Sequence, residues 1–281
     1  MNEPILLCTD LDRTLLPNGL QPESPEARPL FRAVTSHSEV VLAYASGRSQ
    51  PLQQEVIQRY GLPMPHFAIA DVGTAIYRLT SGRWEPWPEW TREMARGWPE
   101  ARGADLARAL GESPALRLQE ANRQSDFKLS YYAPPTYDIA AFREWMDERL
   151  SAHGLSGMAI ELAWSVDETQ QLGLLDLTPP GATKLHALEF LITALGIKRT
   201  RCVYSGDSGN DLAVLESDIP SVLVRNARED VRREALRRAA ERGHSDALYL
   251  ARGGLKGMNG NYAAGILEGM VRFLPETGRW L

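Results

Sequence analysis

Carboxylate residues follow two separate apolar runs in this chain of 281 residues. Asp10 and Asp12 come directly after the apolar run 5–9, and Asp207 lies in the segment Gly206–Asp211 after another run. Carboxylates brought together without partners repel one another, and a divalent cation is their natural neutraliser. Oxygen ligands favour Mg²⁺, which keeps several waters and completes its octahedron with phosphate oxygens of a substrate. These residue types therefore indicate metal-assisted chemistry on a phosphate group.

One further polar feature belongs to the same pattern: Ser46-Gly47-Arg48 follows a third apolar run. Ligands of open parallel sheets bind outside the carboxyl ends of the strands. Parallel strands would bring the ends at 10–14, 46–48 and 206–211 to one edge. The sequence therefore predicts a single site built from three distant loops.

The elements that would position these loops alternate between strands and helices. Strands are predicted at 5–9, 40–44, 67–70, 201–205, 221–224 and 248–250, and helices at 26–36, 50–60, 182–195, 212–217, 229–242 and 262–274. Short apolar runs are typical of buried strands, and their alternation with helices predicts a parallel α/β sheet with right-handed crossovers. The alternation breaks at about Leu79 and resumes at about Thr178. We therefore predict a core domain formed by residues 1–79 and 178–281.

The stretch 80–177 differs from its surroundings, and we predict that it is an inserted domain. Six of the seven tryptophans lie between Trp84 and Trp164. Strands are predicted there at 128–132, 158–163 and 172–177, with a helix at about 139–153. Strands clustered with few helices indicate an α+β unit. Its tryptophans either stack on sugar faces or bury apolar area in a small core.

Composition and charge exclude several classes of protein. With 43% hydrophobic and 24% charged residues, the chain resembles globular domains, which excludes extensive disorder. Its formal charge of −5 disfavours nucleic acid as a main partner, and no apolar run is long enough to span a membrane. The N-terminus lacks a signal-peptide pattern, and Cys8 and Cys202 lie in apolar runs that suit buried thiols. We expect a cytoplasmic protein whose partner is a small molecule. The oligomeric state of the protein is open, and a monomer is its simplest form.

The motifs together resemble those of the haloacid dehalogenase (HAD) superfamily of phosphatases. The four motifs of that superfamily are matched, in order, by Asp10-x-Asp12-x-Thr14, Ser46-Gly47-Arg48, Lys184 and Gly206–Asp211. The resemblance implies an α/β fold with a parallel Rossmann-like core sheet and an inserted α+β cap of the C2B type, which selects the substrate. Within the superfamily the chain looks most like sucrose-phosphate phosphatases and related glycosyl-phosphate phosphatases, on segments 128–131, 177–184 and 261–269.

The resemblance implies catalytic roles for three residues. Asp10 would attack phosphorus in line and form an aspartyl-phosphate. Asp12 would protonate the departing sugar oxygen and then take a proton from the water that hydrolyses the intermediate. Lys184 would balance charge between Asp10 and the transferring phosphoryl group.

It also implies a metal site. Mg²⁺ would be held by Asp10, the backbone carbonyl of Asp12, and Asp207. Asn210, on the substrate side, and Asp211 would orient ligands and waters or bind the metal through water.

The implied substrate contacts come from both domains. The Ser46 hydroxyl and neighbouring backbone N–H groups, including that of Gly47, would hold phosphate oxygens. Arg48 would either touch the substrate or pair with a carboxylate of the core. Lys128 in the insert is a candidate contact to sugar or phosphate. The glycine-rich segment 253–261 either shapes a phosphate-binding loop or is a connection.

The expected function is a Mg²⁺-dependent phosphatase of a small sugar phosphate, with sucrose 6-phosphate as the leading substrate. A cap over the site would exclude proteins and long polymers. Mannosyl-3-phosphoglycerate, mannosylfructose phosphate and glucosylglycerol phosphate are alternative substrates. A sugar phosphomutase on the same fold would move the phosphate without releasing it, and a non-enzymatic sugar-phosphate sensor would be expected to lack Asp10 or Asp12.

Overall fold

The structure is a computed structural model that describes residues 3–99, 101–113, 115–167 and 170–281. Its strands are β1 (Ile5–Thr9), β2 (Val40–Ala45), β3 (Phe67–Ala70), β4 (Ala75–Thr80), β5 (Arg83–Pro86), β6 (Arg117–Leu118), β7 (Leu129–Ala133), β8 (Glu161–Asp167), β9 (Leu172–Thr178), β10 (Cys202–Gly206), β11 (Ser221–Leu223) and β12 (Leu248–Leu250). Its α-helices are α1 (Ala27–Thr35), α2 (Gln50–Tyr60), α3 (Pro88–Gly97), α4 (Gly103–Leu110), α5 (Ile139–Ala152), α6 (Lys184–Leu195), α7 (Leu212–Leu215), α8 (Glu229–Arg242) and α9 (Ala263–Phe273). All predicted elements of the core are present, with ends shifted by at most two residues.

Eight strands form the larger sheet, in the order β12-β11-β10-β1-β2-β3-β4-β5. The strands from β12 to β3 are parallel, whereas β4 and β5 add an antiparallel hairpin at one edge. In the middle, Leu7 of β1 pairs with Val203 of β10 on one side and Leu42 of β2 on the other. The predicted α/β fold with a parallel core sheet is confirmed, and the antiparallel edge is an addition that the alternation did not predict.

The larger sheet is covered by helices on both faces. Ile5 and Leu7 of β1 pack with α1 and α9, whereas Leu6 and Cys8 pack on the opposite face with α6. β1 is therefore buried along its whole length, as a parallel strand between two helical layers must be. The helix α6 ends at Leu195, and Gly196 after it has a φ of 63°, the left-handed conformation that commonly terminates helices.

The inserted domain has a second sheet, which is antiparallel and ordered β6-β7-β9-β8. The helix α4 packs against β7 and α5 packs against α4. The predicted α+β character of the insert is therefore confirmed. Its details differ: the strand predicted at 158–163 begins at Glu161 and continues to Asp167, and α3, α4 and β6 are additional elements.

The expected domain boundary at residue 80 falls inside the β4–β5 hairpin, which belongs to the larger sheet. The helix α3 also packs on the core, because the rings of Trp90 and Phe190 of α6 lie 5.1 Å apart. Trp98, the residue after α3, instead donates its indole N–H to a backbone carbonyl inside the insert at 3.2 Å. We therefore propose that the insert begins after Gly97.

The tryptophans near the start of the insert bury apolar area. Trp87, Trp90 and Trp98 are all buried in the same apolar cluster, and none of them lines the cleft described below. Cys8 and Cys202 are buried free thiols on the adjacent strands β1 and β10, as expected. Within the described part of the chain, no helix is both long and apolar enough to cross a membrane.

Candidate active site

The carboxyl ends of β1, β2 and β10 meet beside a cleft of about 810 Å³ between the core and the insert. Eight of the ten predicted site residues line this cleft: Asp10, Asp12, Ser46, Gly47, Arg48, Lys128, Asp207 and Asn210. The other two, Lys184 and Asp211, are buried directly behind it. The insert contributes Lys128 together with Arg123 and Leu174.

Three carboxylates meet at the floor of the cleft. One oxygen each of Asp10, Asp207 and Asp211 lies within 4.8 Å of the other two. The Asp10 backbone N–H donates to the carbonyl of Ser205 in β10 at 2.8 Å, which holds the two strand ends side by side. A Cβ atom on Gly206 would lie 2.5 Å from the carboxyl carbon of Asp211, so only glycine fits there. The sheet and this glycine together force the carboxylates into one cluster.

Lys184 places a positive charge against this cluster. Its Nζ lies 3.1 Å from Oδ1 of Asp10 and 2.7 Å from Oδ1 of Asp211, and it donates to Oδ1 of Asn210 at 2.9 Å. Lys184 is the first residue of α6, and the N-cap hydroxyl of Thr183 accepts a backbone N–H of the first turn at 3.1 Å. The cap fixes where the helix starts and therefore where the ammonium group lies.

Both oxygens of Asp211 accept hydrogen bonds. Oδ1 accepts from Lys184 and from the Tyr204 hydroxyl at 2.5 Å, and Oδ2 accepts the backbone N–H groups of Asp207 and Ser208, each at 3.0 Å. Burial acts to raise the pKa of Asp211, but the Lys184 ammonium and the hydrogen bonds from Tyr204 and Ser208 together outweigh burial and hold that pKa below its ordinary value. Asp211 therefore anchors both the lysine and the loop after β10. Sequence analysis missed Tyr204 because it lies in an apolar strand with no polar pattern around it.

The other two floor carboxylates have raised pKa values. Burial raises the pKa of Asp10 well above its ordinary value, and the Asp211 charge adds to this, while Lys184 opposes it. Burial and the Asp211 charge raise the pKa of Asp207 to about 7. A further cation at the floor would stabilise both in their ionised forms. The floor therefore has the charge and the oxygen donors that a hard divalent ion requires.

Asp12 lies on the wall of the cleft and pairs with Arg48. The guanidinium Nε and Nη2 atoms lie 2.7 Å from Oδ2 and Oδ1 of Asp12, which is a bidentate ion pair. The structure therefore shows the second of the two expected arrangements, in which Arg48 pairs with a carboxylate of the core, that of Asp12. Asn18 donates to Oδ1 of Asp12 at 2.8 Å and accepts the Arg13 backbone N–H at 2.8 Å. Sequence analysis missed Asn18 because an asparagine before glycine is explained by turn formation alone.

Arg13, to which the sequence assigns no role, lies beside Asp207. Its Nε is 3.5 Å from Oδ2 of Asp207, and the Thr14 hydroxyl donates to Oδ1 at 3.1 Å. The Arg13 backbone has a φ of 58°, and its carbonyl accepts from the Asn226 amide at 2.6 Å. These contacts join the loop after β1 to the loops after β10 and β11.

The loop 46–48 is closed by the turn that follows β3. The Arg48 N–H donates to the Ser46 hydroxyl at 3.2 Å. The N–H groups of Asp71 and Val72 donate to the carbonyls of Arg48 and Ser46 at 3.0 and 3.1 Å. Asp71 and Val72 have φ values of 52° and 62°, a conformation that costs energy in a β-branched residue such as valine. The turn after β3 therefore holds this loop in one shape.

Two contacts join the insert to the core at the cleft. Nζ of Lys128 lies 3.2 Å from Oδ1 of Asp71, and both side chains are buried. The Ser49 hydroxyl donates to the carbonyl of Asn122. Arg123 follows Asn122 and lines the cleft. The insert therefore lies closed against the loop 46–48.

The glycine-rich segment 253–261 does not line the cleft. Its Asn259 and Asn261 side chains donate to the carbonyl of Pro22 at 2.9 and 3.0 Å, and the Glu268 carboxylate accepts the Gly253 N–H at 2.8 Å. These contacts favour the connecting role over the phosphate-binding one.

Known proteins resemble this chain along most of its length. The family model for sucrose-6F-phosphate phosphohydrolase matches residues 3–274. A protein of Nitrosococcus oceani described as a HAD-like hydrolase is 50% identical over 281 residues, which cover 100% of this chain and 75% of that protein. The mannosylfructose-phosphate phosphatase of Agrobacterium fabrum is 30% identical over 223 residues, 79% of this chain and 83% of that protein.

Solved structures share the fold. A sucrose-phosphatase from Synechocystis sp., solved with sucrose and phosphate, superimposes with a TM-score of 0.71 at 23% identity, covering 97% of this chain and 98% of that one. A haloacid dehalogenase-like hydrolase from Bacillus subtilis gives a TM-score of 0.61 at 15% identity, covering 96% and 92%. The fold is therefore that of the HAD superfamily. With the family match along almost the whole sequence, the chain belongs to the sucrose-6F-phosphate phosphohydrolase family of HAD-type phosphoric monoester hydrolases.

Proposed function

We propose that this protein is a Mg²⁺-dependent phosphatase that hydrolyses the phosphate monoester of a small sugar or disaccharide through an aspartyl-phosphate. The observation that carries the proposal is the environment of Asp10. Its carboxylate is buried at the floor of the cleft, 3.1 Å from the Lys184 ammonium. The ammonium opposes the rise in the Asp10 pKa that burial causes, and a divalent cation at the floor would further stabilise the ionised, nucleophilic form.

The floor residues fit a divalent metal ion. Asp10 and Asp207 offer buried carboxylate oxygens to the cleft, whereas Asp211 uses both of its oxygens as hydrogen-bond acceptors. We infer that Asp10, the backbone carbonyl of Asp12, and Asp207 hold the ion, while Asp211 and Asn210 orient its surroundings. When bound, Mg²⁺ would neutralise phosphate charge and align the phosphoryl group.

The proposed reaction has two steps. First, an Asp10 oxygen attacks phosphorus, the bond from phosphorus to the sugar oxygen breaks, and Asp12 donates a proton to that oxygen. Second, Asp12 takes a proton from a water whose oxygen attacks phosphorus, and the bond from phosphorus to Asp10 breaks to release phosphate. We infer that Arg48 exchanges its contact with Asp12 for the substrate phosphate, which the Ser46 hydroxyl and the Gly47 N–H also hold.

The cleft favours a small, oxygen-rich substrate. The volume of the cleft, about 810 Å³, lies within the roughly 300–1,000 Å³ that is typical of small-molecule sites. The insert, which lies against the core, limits the size of the substrate. Lys128 and Arg123 supply hydrogen-bond donors from the insert. The family description and the Agrobacterium relative both name a disaccharide phosphate. Sucrose 6-phosphate is therefore the leading substrate, and mannosylfructose phosphate is the next.

Phosphate release from a panel of sugar phosphates tests the substrate. We expect kcat/KM for sucrose 6-phosphate to exceed that for glucose 6-phosphate or fructose 6-phosphate by about a hundredfold, or about 2.7 kcal/mol, because a disaccharide offers more hydroxyl groups to the donors of the insert than a monosaccharide does. The panel includes trehalose, mannosylfructose and glucosylglycerol phosphates and mannosyl-3-phosphoglycerate. A stronger preference for one of these would replace the sucrose assignment. Migration of the phosphate without its release would show a phosphomutase.

Metal dependence provides a second test. We expect EDTA to reduce kcat at least about a hundredfold, and Mg²⁺ to restore it, because phosphate charge would otherwise face Asp10 and Asp207 without compensation. Mg²⁺ should also raise the Tm of the wild type, since it binds the folded state. Asp207→Asn should lose most of this shift, and Asp246→Asn, at an exposed position, should keep it. An unchanged shift in Asp207→Asn would contradict the proposed ligand set.

A further inference from the structure

Lys128 is a buried cation at the wall of the cleft. It is 4% exposed, and it lines the cleft from the insert. Within the described residues, its ion-pair partner is Asp71, with 3.2 Å between Nζ and Oδ1. An ammonium group carries three N–H donors, and one carboxylate oxygen does not satisfy them all. The donors that Asp71 leaves over are available to a molecule in the cleft.

Asp71 connects this lysine to the loop 46–48. Its side chain, on the core, meets the insert through Lys128, and its backbone N–H donates to the carbonyl of Arg48 at 3.0 Å. The next N–H, of Val72, donates to the carbonyl of Ser46 at 3.1 Å. One residue therefore holds the proposed phosphate-binding loop by its backbone and the lysine of the insert by its side chain.

Stability alone is a poor explanation for this pair. Removing two charges from water offsets most of their mutual attraction, so that well-packed apolar residues often serve the fold as well or better. The position of the Lys128–Asp71 pair in the fold explains its presence better than stability does. It lies where the insert, the loop 46–48 and the cleft meet.

We propose that Asp71 is a positioning residue for substrate binding, which holds Lys128 where its free donors bind the sugar portion of the substrate. The inference rests on the proposed sugar-phosphate activity and adds a residue that lies outside all four motifs. Asp71 then sets the affinity for the sugar and leaves phosphoryl transfer itself largely unaffected.

Asp71→Asn removes the charge and little else. Asparagine has the same size, keeps the backbone N–H and tolerates the φ of 52°. We expect KM for the preferred sugar phosphate to rise about tenfold or more, with kcat changed less than about threefold. For p-nitrophenyl phosphate, which has no sugar hydroxyls, kcat/KM should change less than about threefold. Asp126→Asn is the matched control, since this exposed carboxylate lies two residues before Lys128, and its kinetics should equal those of the wild type.

A double-mutant cycle with Lys128→Met tests whether Asp71 acts through the lysine. If it does, Lys128→Met and the double variant have the same KM, because the second change removes nothing further. Additive effects on KM, or an equal loss with p-nitrophenyl phosphate, would overturn the inference. The double variant leaves no unpaired buried charge, so its own KM provides a test even if either single variant folds poorly: a wild-type KM in the double variant would overturn the inference.

The failure of this inference differs from a failure of the proposed function. Wild-type protein that releases no phosphate from any sugar phosphate would refute the proposed function. Wild-type turnover together with an unchanged KM in Asp71→Asn would refute only the positioning role.

Discussion

Asp10→Asn is expected to reduce kcat for every phosphate ester at least about 10⁴-fold, because an amide cannot displace the sugar oxygen and form the aspartyl-phosphate. The fold should persist. Asparagine has the size of aspartate, and its amide oxygen can still accept from Lys184, which lies 3.1 Å from Asp10. Burial raises the pKa of Asp10 well above its ordinary value, so removing its charge also removes an unfavourable desolvation. Phosphate release and Tm measure the two effects separately.

Asp147→Asn is the control for this substitution. Asp147 is an exposed carboxylate on α5 of the insert, and its replacement should leave both kcat and Tm unchanged. Turnover of Asp10→Asn at the wild-type rate, with the same Mg²⁺ dependence, would contradict the assignment of Asp10 as nucleophile.

Lys184→Met is expected to have the largest effect on stability. The ammonium is shared by three acceptors, on Asp10, Asn210 and Asp211, and its side chain is fully buried. Methionine leaves two buried carboxylates without their cation, and breaking a buried pair in this way costs about 3–5 kcal/mol. Urea unfolding in EDTA measures the loss. Lys198→Met, which removes an exposed lysine paired with Glu3, should leave the midpoint unchanged.

The pH dependence separates lost charge from lost packing. In the wild type, Lys184 and the hydrogen bonds from Tyr204 and Ser208 together hold the pKa of Asp211 below its ordinary value, so this stabilisation is present at neutral pH and is lost only at acid pH, below that ordinary value. In Lys184→Met, burial acts on Asp211 without the opposing ammonium, and the folded carboxylate takes up a proton more readily as the pH falls. The difference in unfolding free energy between the wild type and Lys184→Met should therefore become smaller as the pH is lowered from about 7 to about 4. A constant difference would mean that packing, and not charge, explains the loss.

The sequence predicts the larger sheet and the floor of the site because both depend on local patterns. Each short apolar run ends in a polar loop, and parallel pairing brings such ends to one edge whatever their separation along the chain. Asp10 and Asp207 therefore meet in the cleft as expected. Lys184 is identified instead through the resemblance to the superfamily motifs, and in the structure its ammonium lies against the floor, 3.1 Å from Asp10.

Residues whose role depends on tertiary contact alone could not be predicted. Asn18 is a turn residue by type, Tyr204 is one of several apolar strand residues, and Asp71 follows an unremarkable strand. Only the fold shows that they hold Asp12, Asp211 and Lys128. The β4–β5 hairpin was missed for another reason. Its turn at Ser81-Gly82 coincides with the change in composition, so the sequence suggested a domain boundary where the core sheet in fact continues.

Because β1 lies at the centre of the core sheet, the residue proposed as nucleophile and the residues proposed to contact the sugar lie in different parts of the fold. The carboxylate of Asp10 follows a strand that is paired on both sides and buried on both faces, and such strands open only when the whole domain unfolds. Lys128 and Arg123 belong to a domain with its own sheet, inserted into that core. Substitutions that loosen the insert therefore need not loosen the strand that carries the nucleophile. New sugar preferences can arise in the insert while the hydrolytic centre keeps the full stability of the core.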